Sequence, residues 1–186
     1  MSDLATRYTY MKSPVGILML AGDSEGLADV RFMEGRHPAT PLEESWIEDD
    51  KQFREAAAQL RAYFDGKLRE FNLPLVPKGT QFQLQVWSAL REIPYGKTIS
   101  YAELARRIDK PKAVRAVGSA NGRNPLAIIV PCHRVIGSDG SLTGYGGGMR
   151  NKELLLALEG NGTRRLELGV SSSESSSSRL ELLTLR

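Results

Sequence analysis

The stretch Asn72–Thr80, NLPLVPKGT, most limits what this chain can fold into: its two prolines and a glycine break any continuous helix or central strand. The hydrophobic period differs on its two sides. Before it, Arg7–Met11 and Gly16–Ala21 alternate loosely, Leu27–Phe32 is a third short apolar run, and Ser13-Pro14 and Gly22-Asp23-Ser24 supply turns. Connections this short leave no room for crossover helices, so the strands pair antiparallel. Residues 37–50 read as a loop leading into a helix, and Gln52–Phe64 spaces Phe53, Ala56, Ala57, Leu60 and Phe64 helically before Asp65-Gly66. After the connector, Gln81–Ile93 and Asn151–Glu159 carry helical apolar faces. An α+β chain is expected, with a small N-terminal α/β domain at 1–76 and a mostly helical domain at 77–165. The tract SSSESSSS at 171–178 cannot bury enough apolar surface to order itself, which predicts a flexible Ser-rich tail at 166–186.

A hydrophobic fraction of 41% supports a packed core and excludes a wholly disordered chain. No apolar run approaches the roughly 20 residues needed to cross a bilayer, and MSDLATRYTY lacks the pattern of a secretory signal. A soluble, cytoplasmic protein with no membrane partner is the expectation. One cysteine and two histidines allow no internal disulfide and no zinc-binding cluster, so no metal is expected. Charge is divided unevenly: residues 1–80 are net −3 and residues 81–186 net +6, so a polyanion would meet the C-terminal part.

That part also holds two short helices across a tight turn. Ser100 followed by Glu103 marks a capping box opening Tyr101–Ile108, and a second helix spans roughly Lys112–Asn121, past Pro111. Seven basic residues against two acidic lie between Lys97 and Arg123. KAVRAVGSANG combines small side chains with Arg115, and small side chains let a backbone approach a partner surface. This is the helix-turn-helix pattern, which also occurs in many all-α proteins without DNA.

The apolar run LAIIV (126–130) leads into Pro131-Cys132-His133-Arg134, and the loop GSDGSLTGYGGG follows. A cysteine attacks as thiolate and needs a proton acceptor; His133 is adjacent, coupled directly or through water, and Glu159 is placed to orient the imidazole. Alternatively, Cys132 is a small buried hydrophobe and His133 a structural hydrogen-bonder. Glycines 144, 146, 147 and 148 permit close backbone approach to a ligand, and Tyr145 offers a pocket wall. A reactive thiol beside a basic helix-turn-helix suggests chemistry on DNA.

IVPCHRVIG, with GYGGG downstream and RAVGSANGRNP upstream, closely resembles the O6-alkylguanine-DNA alkyltransferase family, strongly over residues 80–160 and by layout over 7–75. The resemblance implies a ribonuclease-H-like N-terminal domain, a winged-helix-like C-terminal domain and repair of double-stranded DNA bearing O6-alkylguanine, or O4-alkylthymine. It implies minor-groove binding, no cofactor, and a monomer able to assemble cooperatively on DNA. Cys132 is then the nucleophile, His133 its base through a water, and Glu159 the partner of the base. Arg115 fills the space of the flipped nucleotide, with Ala116, Gly118, Ser119 and Arg123 on the DNA-facing surface. Tyr101 acts on the target phosphate and guanine N3, and Asn124 braces the helix-turn-helix against the active-site segment. Val130, Asn121, Tyr145 and Gly146 form the pocket.

The chain departs from the family in several places. Gly146 stands where some members carry serine, and Asn121 where others have a larger apolar residue. The zinc ligands of some members are absent, and no second cysteine exists for phosphotriester repair. Three competing readings are a non-catalytic damage binder, a helix-turn-helix regulator with sequence-specific half-sites, and a cysteine hydrolase that turns over repeatedly.

Overall fold

A computed structural model describes residues 5–34, 43 and 45–160; the expected tail at 166–186 and half of the expected loop at 37–50 lie outside these. Three strands, β1 (Arg7–Ser13), β2 (Gly16–Asp23) and β3 (Gly26–Phe32), form the expected antiparallel meander, with Tyr10 opposite Met19 and Leu20 opposite Val30. A fourth strand, β4 (Ile47–Glu48), corrects the reading of 37–50 as a loop leading into a helix. It lies parallel to β1, giving the order β3-β2-β1-β4. Two residues are too few to show alternation in sequence. The strand is held by Ile47 N–H on Thr6 C=O (3.0 Å), Asp49 N–H on Tyr8 C=O (2.9 Å) and the Arg7–Asp49 ion pair (2.7 Å).

Helix α1 (Arg54–Phe64) buries Ala56, Ala57, Leu60 and Tyr63 in the same core as Leu18, Leu20 and Val30 of the sheet. The outer edge of β3 is stitched twice to later chain. Leu27 and the connector exchange hydrogen bonds (Leu27 N–H on Pro74 C=O and Val76 N–H on Leu27 C=O, both 2.9 Å). Further along, Val30 N–H reaches Pro125 C=O at 2.7 Å and Ala127 N–H reaches Val30 C=O at 3.1 Å. An edge that would otherwise expose unpaired backbone is thus covered by the connector and by the C-terminal half.

Helix α2 (Gln81–Arg91) opens on a capping box between Thr80 and Gln83 that the sequence reading did not identify. After it come β5 (Ile99–Ser100), α3 (Tyr101–Arg107) and α4 (Val114–Gly122); Trp87 pins α2 to α4 through Ala120 C=O at 2.8 Å. At α3 only half of the expected capping box forms. Ser100 Oγ accepts from Glu103 N–H (3.1 Å), while the Glu103 carboxylate pairs with Arg106 and Arg107, two cations within one turn. Strand β6 (Val135–Ile136) pairs parallel with β5, and α5 (Met149–Leu158) closes the described chain.

Candidate active site

The apolar segment 126–130 is buried; Leu126 bridges to Val30 of β3 and the chain then turns. Ile128 sits at φ 73, a left-handed conformation unusual for a β-branched residue. Past Pro131, Cys132–Arg134 forms a single 3-10 turn, all three residues buried. Asn124, just past α4, holds this segment. Its Oδ1 accepts Leu126 N–H (3.0 Å), and its Nδ2 donates to Val130 C=O (2.8 Å) and to Cys132 Sγ (3.1 Å). One amide therefore joins the helix-turn-helix to the thiol. Asn121 Nδ2 reaches Cys132 C=O at 3.5 Å, and its buried Oδ1 has no hydrogen-bond partner among the described residues.

Behind the thiol, His133 Nε2 lies 3.0 Å from Glu159 Oε1, both side chains fully buried. Glu159 also accepts from Arg134 (Nε to Oε2 and Nη2 to Oε1, both 2.8 Å), from the Tyr63 hydroxyl (2.8 Å) and from Gly96 N–H (3.1 Å). Burial alone would raise its pKa. The hydrogen bonds from His133 and Arg134 and the charge of Arg134 outweigh burial and hold the carboxyl at a pKa of about 2. An ionised Glu159 assigns the proton of a neutral imidazole to Nε2, leaving Nδ1 as an acceptor; Nδ1 has no partner among the described residues. Burial pushes the His133 pKa down despite the opposing pull of Glu159. Burial likewise pushes the Cys132 thiol up, offset in part by the Asn124 hydrogen bond and the Lys152 charge. The resting pair is a thiol beside a neutral base.

Cys132 opens on a cavity of about 470 Å³ that Asn121, Arg123, Asn124, Tyr145 and Gly146 also line, which gathers five of the expected site residues around the thiol. Val130 is buried and is not on this wall; its carbonyl meets Asn124. Tyr101 is not on the wall either. Its hydroxyl accepts from Thr143 Oγ1 at 3.2 Å, and its ring stands beside Gly118. Arg115, Ala116, Ser119 and Arg123 are exposed and share one face of α4, with Gly118 half-buried.

Sequence reasoning missed several contributors. Val30, Arg31 and Phe32 of β3 complete the cavity wall from the N-terminal half. The Phe32 ring packs edge-on to Tyr145 (centroids 5.7 Å apart), and a Cβ on Gly147 would come within 2.5 Å of that ring, so this loop glycine is fixed by packing. Lys152 is fully buried, its ammonium donating to Val135 C=O (2.7 Å) and Thr143 C=O (3.0 Å), and burial pushes its pKa down to about 8. A signal for it existed: Lys152, Leu155 and Glu159 share one face of α5 at spacings of three and four. Among the described residues no group of three metal-ligating side chains occurs, and no helix is long and apolar enough to cross a membrane.

Two family models match. Residues 6–77 match the 6-O-methylguanine DNA methyltransferase ribonuclease-like domain, and residues 81–161 match the DNA binding domain of the same family. A methylated-DNA–protein-cysteine methyltransferase of Methanosarcina acetivorans is 56% identical over 154 residues, covering 83% of this chain and 98% of the relative. A Mycobacterium tuberculosis OGT crystallised in complex with DNA is similar at 51% identity and a TM-score of 0.77, over 82% of this chain and 92% of that one. The O6-methylguanine methyltransferase of the same organism is 49% identical with a TM-score of 0.78, over 88% and 98%.

Proposed function

Because this chain belongs to the 6-O-methylguanine DNA methyltransferase family, we propose that it repairs DNA by direct reversal, moving the alkyl group of O6-alkylguanine onto Cys132. The observation that carries the reading is the Cys132 thiol on a cavity wall with the neutral, Glu159-anchored His133 behind it. His133 Nδ1 takes the thiol proton through a water. The sulfur forms a bond to the alkyl carbon as the carbon–O6 bond breaks, and the electron pair leaves with the guanine, which then takes up a proton. Tyr101 supplies that proton toward N3 once DNA is bound. The thioether is not hydrolysed, so each molecule acts once and needs no cofactor.

A base inside the duplex cannot present this carbon for in-line attack, so it is flipped at a cost of about a few kcal/mol. The exposed face of α4 supports minor-groove docking: Ala116, Gly118 and Ser119 allow close approach, and Arg115 inserts where the nucleotide left. The flipped guanine meets Asn121, Tyr145 and Gly146, with the Val130 and Cys132 carbonyls reading its amino group after Asn124 and Asn121 adjust. We read the protein as an intracellular monomer that assembles along duplex DNA.

Intact mass after mixing with duplex DNA containing O6-methylguanine tests this. A gain of one methylene per protein, mapped to Cys132 and absent in Cys132→Ala that still binds lesion DNA, is expected. No gain by folded protein with a reduced thiol would overturn it.

A further inference from the structure

Tyr63 is a fully buried phenol that the reaction above does not use. It belongs to α1, in the N-terminal half, yet its hydroxyl donates to Glu159 Oε1 across 96 residues of sequence at 2.8 Å. The ring is fixed by Phe71, Phe64 and Tyr95, with centroids 5.4, 5.5 and 6.1 Å away. Glu159 Oε1 also takes Arg134 Nη2 (2.8 Å) and His133 Nε2 (3.0 Å). A carboxylate oxygen offers about two lone-pair sites, so three donors on one oxygen compete. The charge that Tyr63 draws from Oε1 is charge that His133 does not receive.

Resting on the alkyl-transfer reading, we propose that Tyr63 is a positioning residue of that reaction: its hydroxyl, carried by the N-terminal domain, fixes the Glu159 carboxylate and tempers its pull on His133 Nε2–H, thereby setting the basicity of the nitrogen that serves Cys132. The ionisable groups around the relay are Tyr63 from α1, Tyr95 after α2, Cys132, His133 and Arg134 in the 3-10 turn, Tyr145 in the glycine-rich loop and Lys152 from α5. Arg69 acts indirectly, over the Tyr95 ring at 5.5 Å. Burial and the neighbouring Glu159 charge push the Tyr63 phenol far up, so it donates without giving up its proton.

The test uses two substitutions of opposite sense in the whole protein. Tyr63→Phe keeps the ring and removes the donor; 3-fluorotyrosine at position 63 keeps the shape and strengthens it. The His133 Nε2–H proton, resolved by NMR in a chain with two histidines, is expected downfield in Tyr63→Phe and upfield with fluorotyrosine. The acidic limb of the transfer rate should move up by roughly half a pH unit in Tyr63→Phe, following the more basic imidazole. A purely packing role lowers the active fraction without moving resonance or limb. Unmoved resonances in both variants, or shifts of the same sign, would overturn the proposal. Should Tyr63→Phe fail to fold, fluorotyrosine decides alone: an upfield shift supports, none overturns. The resonance is read without any transfer, so failure of wild-type protein to take up methyl would count against the alkyl-transfer reading separately.

Discussion

At the scale of single residues, the buried carboxylate of Glu159 is the most heavily engaged side chain among the described residues. Five donors meet it, from α1, the turn after α2, and the 3-10 turn that carries Cys132. Removing its charge leaves Arg134 buried against a neutral amide, and an uncompensated buried charge costs about 3–5 kcal/mol. Glu159→Gln is therefore expected to lose stability on that order in urea unfolding. Its transfer rate should fall about tenfold or more, because the amide anchors the imidazole without stabilising its charged form. A rate unchanged within twofold in folded protein would show that His133 acts without its carboxylate. Of the groups in this relay, His133 and Glu159 were legible from the sequence, through a family motif and a helix end. Tyr63 and Arg134 were not. Each looks like an ordinary apolar-face tyrosine or surface arginine until a contact spanning 96 or 25 residues of chain is known.

Among the elements, α4 separates what packing demands from what it does not. Val117, Ala120 and Asn121 are buried, and their size is fixed by the neighbours. Gly118 and Gly122 are not so constrained: a Cβ at Gly118 would meet Tyr101 at an ordinary 3.6 Å, and one at Gly122 would meet nothing within 4 Å. The fold itself leaves room for a Cβ at both positions, and the proposed docking on DNA would account for their smallness. Gly122→Ala should accordingly keep the fold or stabilise it by roughly 0.5 kcal/mol. Arg115→Ala, exposed and without a packing role, should slow repair in duplex DNA far more than reaction with free benzylated guanine, as single-turnover rates on both would report. Equal losses would remove Arg115 from base flipping. Helices α1, α2 and α5 were readable from apolar positions at helical spacing, and α3 from the Ser100 cap at its start. Strand β4 was not, since two residues carry no period; nor was the pairing of the connector with β3, since it depends on a backbone edge rather than on side chains.

Considered as a whole, the molecule places its most perturbed ionisable groups where its two halves meet, and this links stability to pH. The Glu159 carboxyl falls from an ordinary 4.5 to about 2 on folding, so between these values the unfolded chain binds a proton that the folded one refuses. Its stabilisation is complete above pH 4.5 and is lost as pH drops toward 2. His133 acts in the same direction: burial lowers it from an ordinary 6.5, so the unfolded chain takes up its proton first as pH falls below that value. Asp29 opposes them, because burial raises its carboxyl despite the Arg31 hydrogen bond and charge. Comparing wild type with Glu159→Gln cancels Asp29 and reads the relay carboxylate together with the His133 titration coupled to it. Urea-unfolding free energies measured from pH 6 down should fall more steeply in wild type, the two curves converging by about 3 kcal/mol over the window. Parallel curves would mean that the carboxylate is no more acidic folded than unfolded, and that the five donors around it are not holding a charge.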